Sequence, residues 1–183
     1  MIIWLNGTFG VGKTTIACKI NELLASNKFE ILEADEYYNE MKKENPMLLL
    51  GGALPQNNKN FIERFKKVIK EKIENENKNL IIVMSITENE CKEKLYECLK
   101  NNNCDMFHFI LIANEETIKT RIEKDNNRDK SFALTFLKPN IIFLNNNFKD
   151  AIRINTDDKN VNEIAKEILK NIDISIINKK EVK

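Results

Sequence analysis

"MIIWLNGTFGVGKTT", residues 1–15, decides the fold. The apolar residues at 2–5 read as a strand covered on both faces. They run directly into Gly7-Thr8-Phe9-Gly10-Val11-Gly12-Lys13-Thr14, which satisfies G-x-x-x-x-G-K-[ST]. Beyond it Ile16, Ile20, Leu23 and Leu24 fall on one helical face. Strand, glycine loop and helix in that order are the setting in which this motif cradles phosphate. Glycines let successive backbone N–H groups turn inward toward phosphate oxygens, and the helix start adds its positive end at the same point. Lys13 is expected to reach the β- and γ-phosphates, and the Thr14 hydroxyl to ligate Mg²⁺. Thr15 can take a further phosphate contact; Thr8, Phe9 and Val11 complete the loop, and Gly10 adds a third flexible position.

Working outward, strands alternate with helices. Further β-prone runs occur at 29–32, 80–83, 107–112 and 151–154. Helical stripes lie between them: Phe61, Phe65, Val68, Ile69 and Ile73; Cys91, Leu95, Cys98 and Leu99; Ile118 and Ile122; and Val161, Ile164, Ala165, Ile168, Leu169 and Ile172. Thr87 with Glu90, and Asn160 with Glu163, have capping-box spacing, and Asn114 can cap the helix beginning near residue 115. This alternation implies an α/β fold, a parallel sheet with helices on both faces. Two segments break the rhythm, 36–60 and 125–150, and irregular stretches of that length in a compact domain usually bind or cover ligands. We expect one domain over 1–183, with a substrate-binding insertion at about 36–60 and a lid at about 125–150.

Composition excludes several classes. The chain has 183 residues, 42% apolar and 31% charged, with a formal net charge of +1. No bulk field recruits nucleic acid or a membrane surface, and no apolar run is long enough to span a bilayer. Cys18, Cys91, Cys98 and Cys104 form no C-x-x-C pair, and His108 is the lone histidine. They read as free thiols, so a reducing, cytoplasmic setting is expected. His108 sits within an apolar strand and reads as a core residue.

Opposite the phosphate loop we expect "EADEYY", residues 33–38. A carboxylate at the C-terminal end of the neighbouring strand projects into the same crevice. Asp35 is thus a candidate either for the base that takes a proton from an attacking hydroxyl or for a magnesium-water ligand; Glu36 can substitute. Arg121 and Arg128, with Lys130 and Lys138 behind them, are the cations available to close over a γ-phosphate; the plainer alternative for Arg121 is an i,i+4 pair with Asp125. Tyr38 and Arg64 are candidate contacts for a planar or anionic acceptor, with Tyr37 and Phe61 nearby. The third strand ends "IIVMSIT", residues 81–87, with hydroxyls at Ser85 and Thr87 where a magnesium-binding acid is usual, and no N-K-x-D guanine reader occurs. ATP is therefore the expected nucleotide.

With these residues in hand the chain resembles the bacterial tunicamycin-resistance proteins, within the P-loop kinase superfamily that includes chloramphenicol phosphotransferases, shikimate kinases and adenylate kinases. The likeness lies in "MIIWLNGTFGVGKTT", "LIIVMSIT", "HFILIANEETIKTRI" and "IRINTDDKNVNEIAKEI". It implies a three-layer P-loop NTPase/kinase fold with sheet order 2-3-1-4-5, ATP and Mg²⁺ on residues 7–15, Asp35 near the acceptor, Arg121 at the start of the lid, and Thr156 and Asp157 bordering adenine. Two departures stand out: Asp125 where a second lid arginine is usual, and Pro139 about where a further arginine belongs, with Lys138 or Arg128 left to compensate. The implied activity is transfer of the ATP γ-phosphate to a hydroxyl of a small molecule, nucleoside-like antibiotics included. Alternatives are an ATP-binding protein that sequesters a drug without modifying it, and a nucleotide-gated switch, which the missing acid on the third strand argues against.

Overall fold

The computed structural model describes residues 1–24, 29–49, 54–101, 105–126 and 129–172. Its centre is β1 (Ile2–Asn6), every residue of which is buried. Alternation along this strand feeds two cores: Ile2 and Trp4 face one side of the sheet, Ile3 and Leu5 the other. Parallel partners flank it, β3 (Asn79–Val83) and β4 (Met106–Ile112), with Trp4 in register with Ile82 and His108. Outside these lie β2 (Phe29–Glu33), paired with β3, and β5 (Ile152–Asn155), paired with β4. The order is β2-β3-β1-β4-β5, all parallel, as the resemblance implied.

One face of the sheet is covered by α1 (Lys13–Leu23) and α8 (Val161–Lys170). α8 opens with the capping box read from sequence: the Glu163 N–H donates to Asn160 Oδ1 and the Asn160 N–H to Glu163 Oε2. The other face takes α3 (Lys59–Glu74) and a continuous helical run. That run consists of α4 (Asn89–Cys91), a π-helical stretch Lys92–Glu97 and α5 (Cys98–Lys100). Trp4, fully buried here, meets the Tyr96 ring edge-on and donates its indole N–H to the Met84 carbonyl. His108 is also buried on this side, Nδ1 lying 3.0 Å from the Tyr96 hydroxyl, while Nε2 has no partner among the described residues. Burial, with Lys100 and Arg153 adding to it, lowers the imidazole pKa to about 3. A third, smaller core joins α6 (Glu115–Lys124) to α7 (Lys130–Asn146).

Four expectations need correction. The 36–60 segment is not irregular at its start: α2 (Ala34–Glu44) occupies it, burying Ala34, Tyr38 and Met41 at helical spacing before Pro46. Only those three of eleven residues are buried, with Tyr37 packing partly buried beside them, too sparse a stripe to read from sequence. The 125–150 segment is largely α7, a 17-residue helix with Pro139 inside. Proline removes a backbone donor and reads as a breaker, yet the Asp129 cap, accepting from the Phe132 N–H, and apolar packing through Ala133, Leu137 and Leu144 hold the helix. Thr87 does not cap a helix with Glu90: α4 starts after Glu88, and Thr87 is bound instead to the buried Gln56 amide. Asn114 stands at the start of α6 without a side-chain cap.

Candidate active site

The loop between β1 and α1 has the backbone form that the sequence motif calls for. Gly10 and Gly12 hold φ of 72° and 95°, conformations that L side chains rarely adopt. A Cβ on Gly10 would also stand 2.9 Å from Ile122 Cγ1 and 3.3 Å from the Ile118 carbonyl, so α6 presses directly on the loop. Lys13 curls back, Nζ donating to the carbonyls of Gly7 (2.9 Å) and Thr8 (3.0 Å). The Ser85 hydroxyl donates to the same Gly7 carbonyl at 2.8 Å. Asn6, fully buried, accepts from the Gly7 N–H (2.8 Å) and from the Ile86 N–H (3.0 Å), which ties the loop entrance to the end of β3.

In front of the loop opens a cavity of about 340 Å³. Phe9, Gly10, Gly12, Lys13, Thr14 and Thr15 line one side; Glu33, Asp35, Ser85, Arg121 and Asp125 line others. Thr14 donates its hydroxyl proton to Glu33 Oε1 at 2.7 Å. Burial raises the Glu33 pKa above 4.5; the Thr14 bond opposes this, the carboxylates of Glu36 and Asp35 add to it, and Lys13 works against it. Glu33 ends β2 and Asp35 stands in the first turn of α2, so one strand–helix junction delivers two carboxylates. Arg121 is held by two bonds to the loop after β5, to Thr156 Oγ1 (3.0 Å) and to the Thr156 carbonyl (2.8 Å). Asp157 in that loop accepts from the Asn114 N–H at 2.8 Å.

Gly7, Thr8 and Val11 are buried structural members of the loop, the last in the core. Thr156 is buried behind Arg121. Three substrate candidates lie outside the cavity lining. Glu36 is exposed without lining it; Tyr38 is buried edge-on against Phe61 with Lys42 over its ring; Arg64 lies exposed on α3, 3.7 Å from Glu44. Tyr38 stands on α2 and Arg64 on α3, neither in the cavity lining. Arg128 lies outside the described residues. Sequence reading passed over Glu33, Asn6 and Gln56. For Glu33 the sequence carries a signal: an acid closing a strand, two residues before Asp35.

The oxygen donors fit the chemistry of a bound magnesium nucleotide. Gly12 has room for more than a hydrogen, since an added Cβ would meet only Ile16 Cδ1 at 3.8 Å. That leaves the cradle open to a phosphate. Thr14, Glu33 and Asp35 present hydroxyl and carboxylate oxygens, the ligands a hard dication prefers.

Fold and loop together define a domain of the P-loop kinase fold. The chain belongs to the AAA domain family, whose profile matches residues 2–136. Similar solved structures include the tunicamycin resistance protein of Deinococcus radiodurans, 23% identical over 94% of this chain and 95% of that one, with a TM-score of 0.73. The APS kinase of Mycobacterium tuberculosis is 13% identical over 92% and 95%, with a TM-score of 0.64. Shikimate kinase from Acinetobacter baumannii is 22% identical over 100% and 95%, with a TM-score of 0.58. No curated protein matches. Among the described residues no helix is long and apolar enough to cross a membrane.

Proposed function

We propose that this protein is an ATP-dependent phosphotransferase acting on a hydroxyl group of a small molecule. One observation carries the reading: the phosphate loop, the Thr14–Glu33 pair and Asp35 converge on a single cavity of about 340 Å³. The loop amides and Lys13 hold the β- and γ-phosphates. Thr14 and Glu33 hold the magnesium side, which leaves Asp35 free to face the acceptor. Bound there, Mg²⁺ neutralises charge on the β- and γ-phosphate oxygens. Asp35 accepts the proton of the acceptor hydroxyl as its oxygen bonds to the γ-phosphorus. The bond from that phosphorus to the bridging oxygen breaks, and ADP and a phosphate monoester leave. Arg121, braced by Thr156, balances charge on the transferring group. The likeness to a tunicamycin resistance protein makes nucleoside-like antibiotics the first acceptors to assay.

The test is mass spectrometry of acceptors incubated with protein and Mg-ATP. A species heavier by one phosphoryl group is expected with the native chain. Asp35→Asn should retain ATP affinity and form no product; full activity in that variant removes Asp35 from the mechanism. A second reading, drug sequestration without transfer, draws on the lid: Lys138 on α7 lies 3.8 Å from Glu115, turned to α6. A phosphorylated drug rules it out.

A further inference from the structure

A second cavity, of about 180 Å³, lies beside the phosphate loop and shares no lining residue with the one in front of it. Leu111 and Ile112 of β4, Ile118 of α6, and Ile141 and Leu144 of α7 form its apolar wall. Thr8 of the loop lines it too. The Thr8 carbonyl accepts from Lys13 Nζ at 3.0 Å, and a Cβ added to Gly10 would stand 3.5 Å from Ile118 Cγ2. A molecule in this cavity therefore touches two residues that shape the loop without entering the cavity the loop faces.

Charge, polarity and volume define what fits. No charged side chain is among the described residues that line the cavity, although 31% of the chain is charged. An ion would shed its hydration there with no counter-charge, so the occupant is neutral. Thr8 is only 2% exposed, and its Oγ1 has no hydrogen-bond partner among the described residues. A buried hydroxyl left unpaired costs stability that a ligand with one hydrogen-bonding atom restores. Water is a poor substitute, because it needs two to four polar partners. Asn145, exposed on α7, is the one other polar side chain among the described lining residues. An apolar cavity of about 150 Å³ stays dry and takes benzene. A volume of about 180 Å³ thus suits one six-membered ring with a small substituent.

We propose that this cavity binds a small uncharged molecule with an apolar body of one ring and a single hydrogen-bonding group that pairs with Thr8. Such binding needs no nucleotide and does not depend on the phosphotransferase reading. Phenol is the probe, with toluene lacking the hydroxyl and benzoate carrying a charge as comparators, each titrated calorimetrically into the nucleotide-free protein. Phenol should bind saturably and benzoate should not. Nuclear Overhauser contacts should run from the phenol ring to the methyl groups of Ile118 and Ile141. Thr8→Val keeps the side-chain shape and removes the hydroxyl; it should weaken phenol at least about five-fold and leave toluene unchanged. Ile141→Trp fills the cavity from a partly exposed position and should abolish phenol binding, which keeps the test decisive if Thr8→Val does not fold. Absence of saturable phenol binding, benzoate binding as tightly as phenol, or Overhauser contacts elsewhere overturns the proposal. So does an unchanged phenol-to-toluene ratio in folded Thr8→Val, or phenol binding retained in folded Ile141→Trp.

Discussion

Glu33→Gln tests the assignment of the magnesium side, because it should change two affinities in opposite directions. The Thr14 hydroxyl keeps an oxygen to donate to, since Gln retains the carbonyl that replaces Oε1 at 2.7 Å. Only the charge is lost. Two unit charges 4 Å apart interact by about 4 kcal/mol at an effective dielectric of 20 and about 1 kcal/mol in water. Glu33 is half-buried, so screening leaves roughly 1–2 kcal/mol of repulsion toward a metal-free triphosphate. ATP in the presence of a chelator should therefore bind the variant about 5- to 30-fold more tightly. With magnesium the sign reverses, because removing a ligand or its hydrogen-bonded support typically costs about 10–100-fold in metal affinity. Paired calorimetric titrations, one with EDTA and one with excess Mg²⁺, read both. Equal changes in the two would show that Glu33 has no part in holding magnesium. Stability supplies an independent check. Burial raises the Glu33 pKa above 4.5, so the folded chain binds this proton more tightly than the unfolded chain does. The contribution to stability is full below the unfolded value and is lost as pH rises through the folded one. Glu33→Gln should raise Tm at pH 7 and leave it nearly unchanged at pH 4.

Two further predictions concern the scaffold. His108 has its pKa lowered from 6.5 to about 3 by burial, so the stability it contributes is present above 6.5 and is lost as pH falls toward the folded value. His108→Phe should flatten that acid limb in denaturant melts at pH 7.5 and 5, at a cost of roughly 1–2 kcal/mol at neutral pH for the stranded Tyr96 hydroxyl. Pro139→Ala should restore a donor for the Thr135 carbonyl inside α7 and raise stability by as much as about 3 kcal/mol; an unchanged Tm would mean that this carbonyl is not short of a partner.

The sheet was legible because each strand is short, apolar and followed by a helix start, and because β1 alternates between two cores that both exclude water. The phosphate loop was legible because its residues are dictated by backbone geometry, which leaves a fixed spacing in the sequence. What sequence hid falls into two kinds. α7 was hidden by Pro139, since local propensity argues against a helix that tertiary packing through Ala133 and Leu137 sustains. Glu33 was hidden by proximity: with three acids among 33–36, only the fold shows which reaches Thr14 and which, like Glu36, turns to solvent. Tyr38 and Arg64 lie outside the cavity lining for a related reason. Their chemistry suits an acceptor site, but the helical phase of α2 buries the first, and the second pairs with Glu44 on the exposed surface of α3.

The missing acid on β3 now has a physical consequence. With both carboxylates supplied by the β2–α2 junction, the end of β3 is released for other work. Ser85 braces the Gly7 carbonyl that Lys13 also holds, so it stiffens the loop without adding charge. Two residues on, Thr87 receives the Gln56 amide as both donor and acceptor: its N–H donates to Gln56 Oε1 at 2.6 Å and its hydroxyl accepts from Gln56 Nε2 at 2.7 Å. Those bonds pin the Leu54–Gln56 wall of a slot beside Asp35 to the same strand that pins the phosphate loop. An acid just beyond β3 in place of Ser85 would put a third negative charge against Glu33 and Asp35, raising the cost of keeping all three ionised. On the proposed phosphotransferase reading, placing the metal-facing charge on β2 lets one neutral strand end set the spacing between phosphate and acceptor on which an in-line transfer depends.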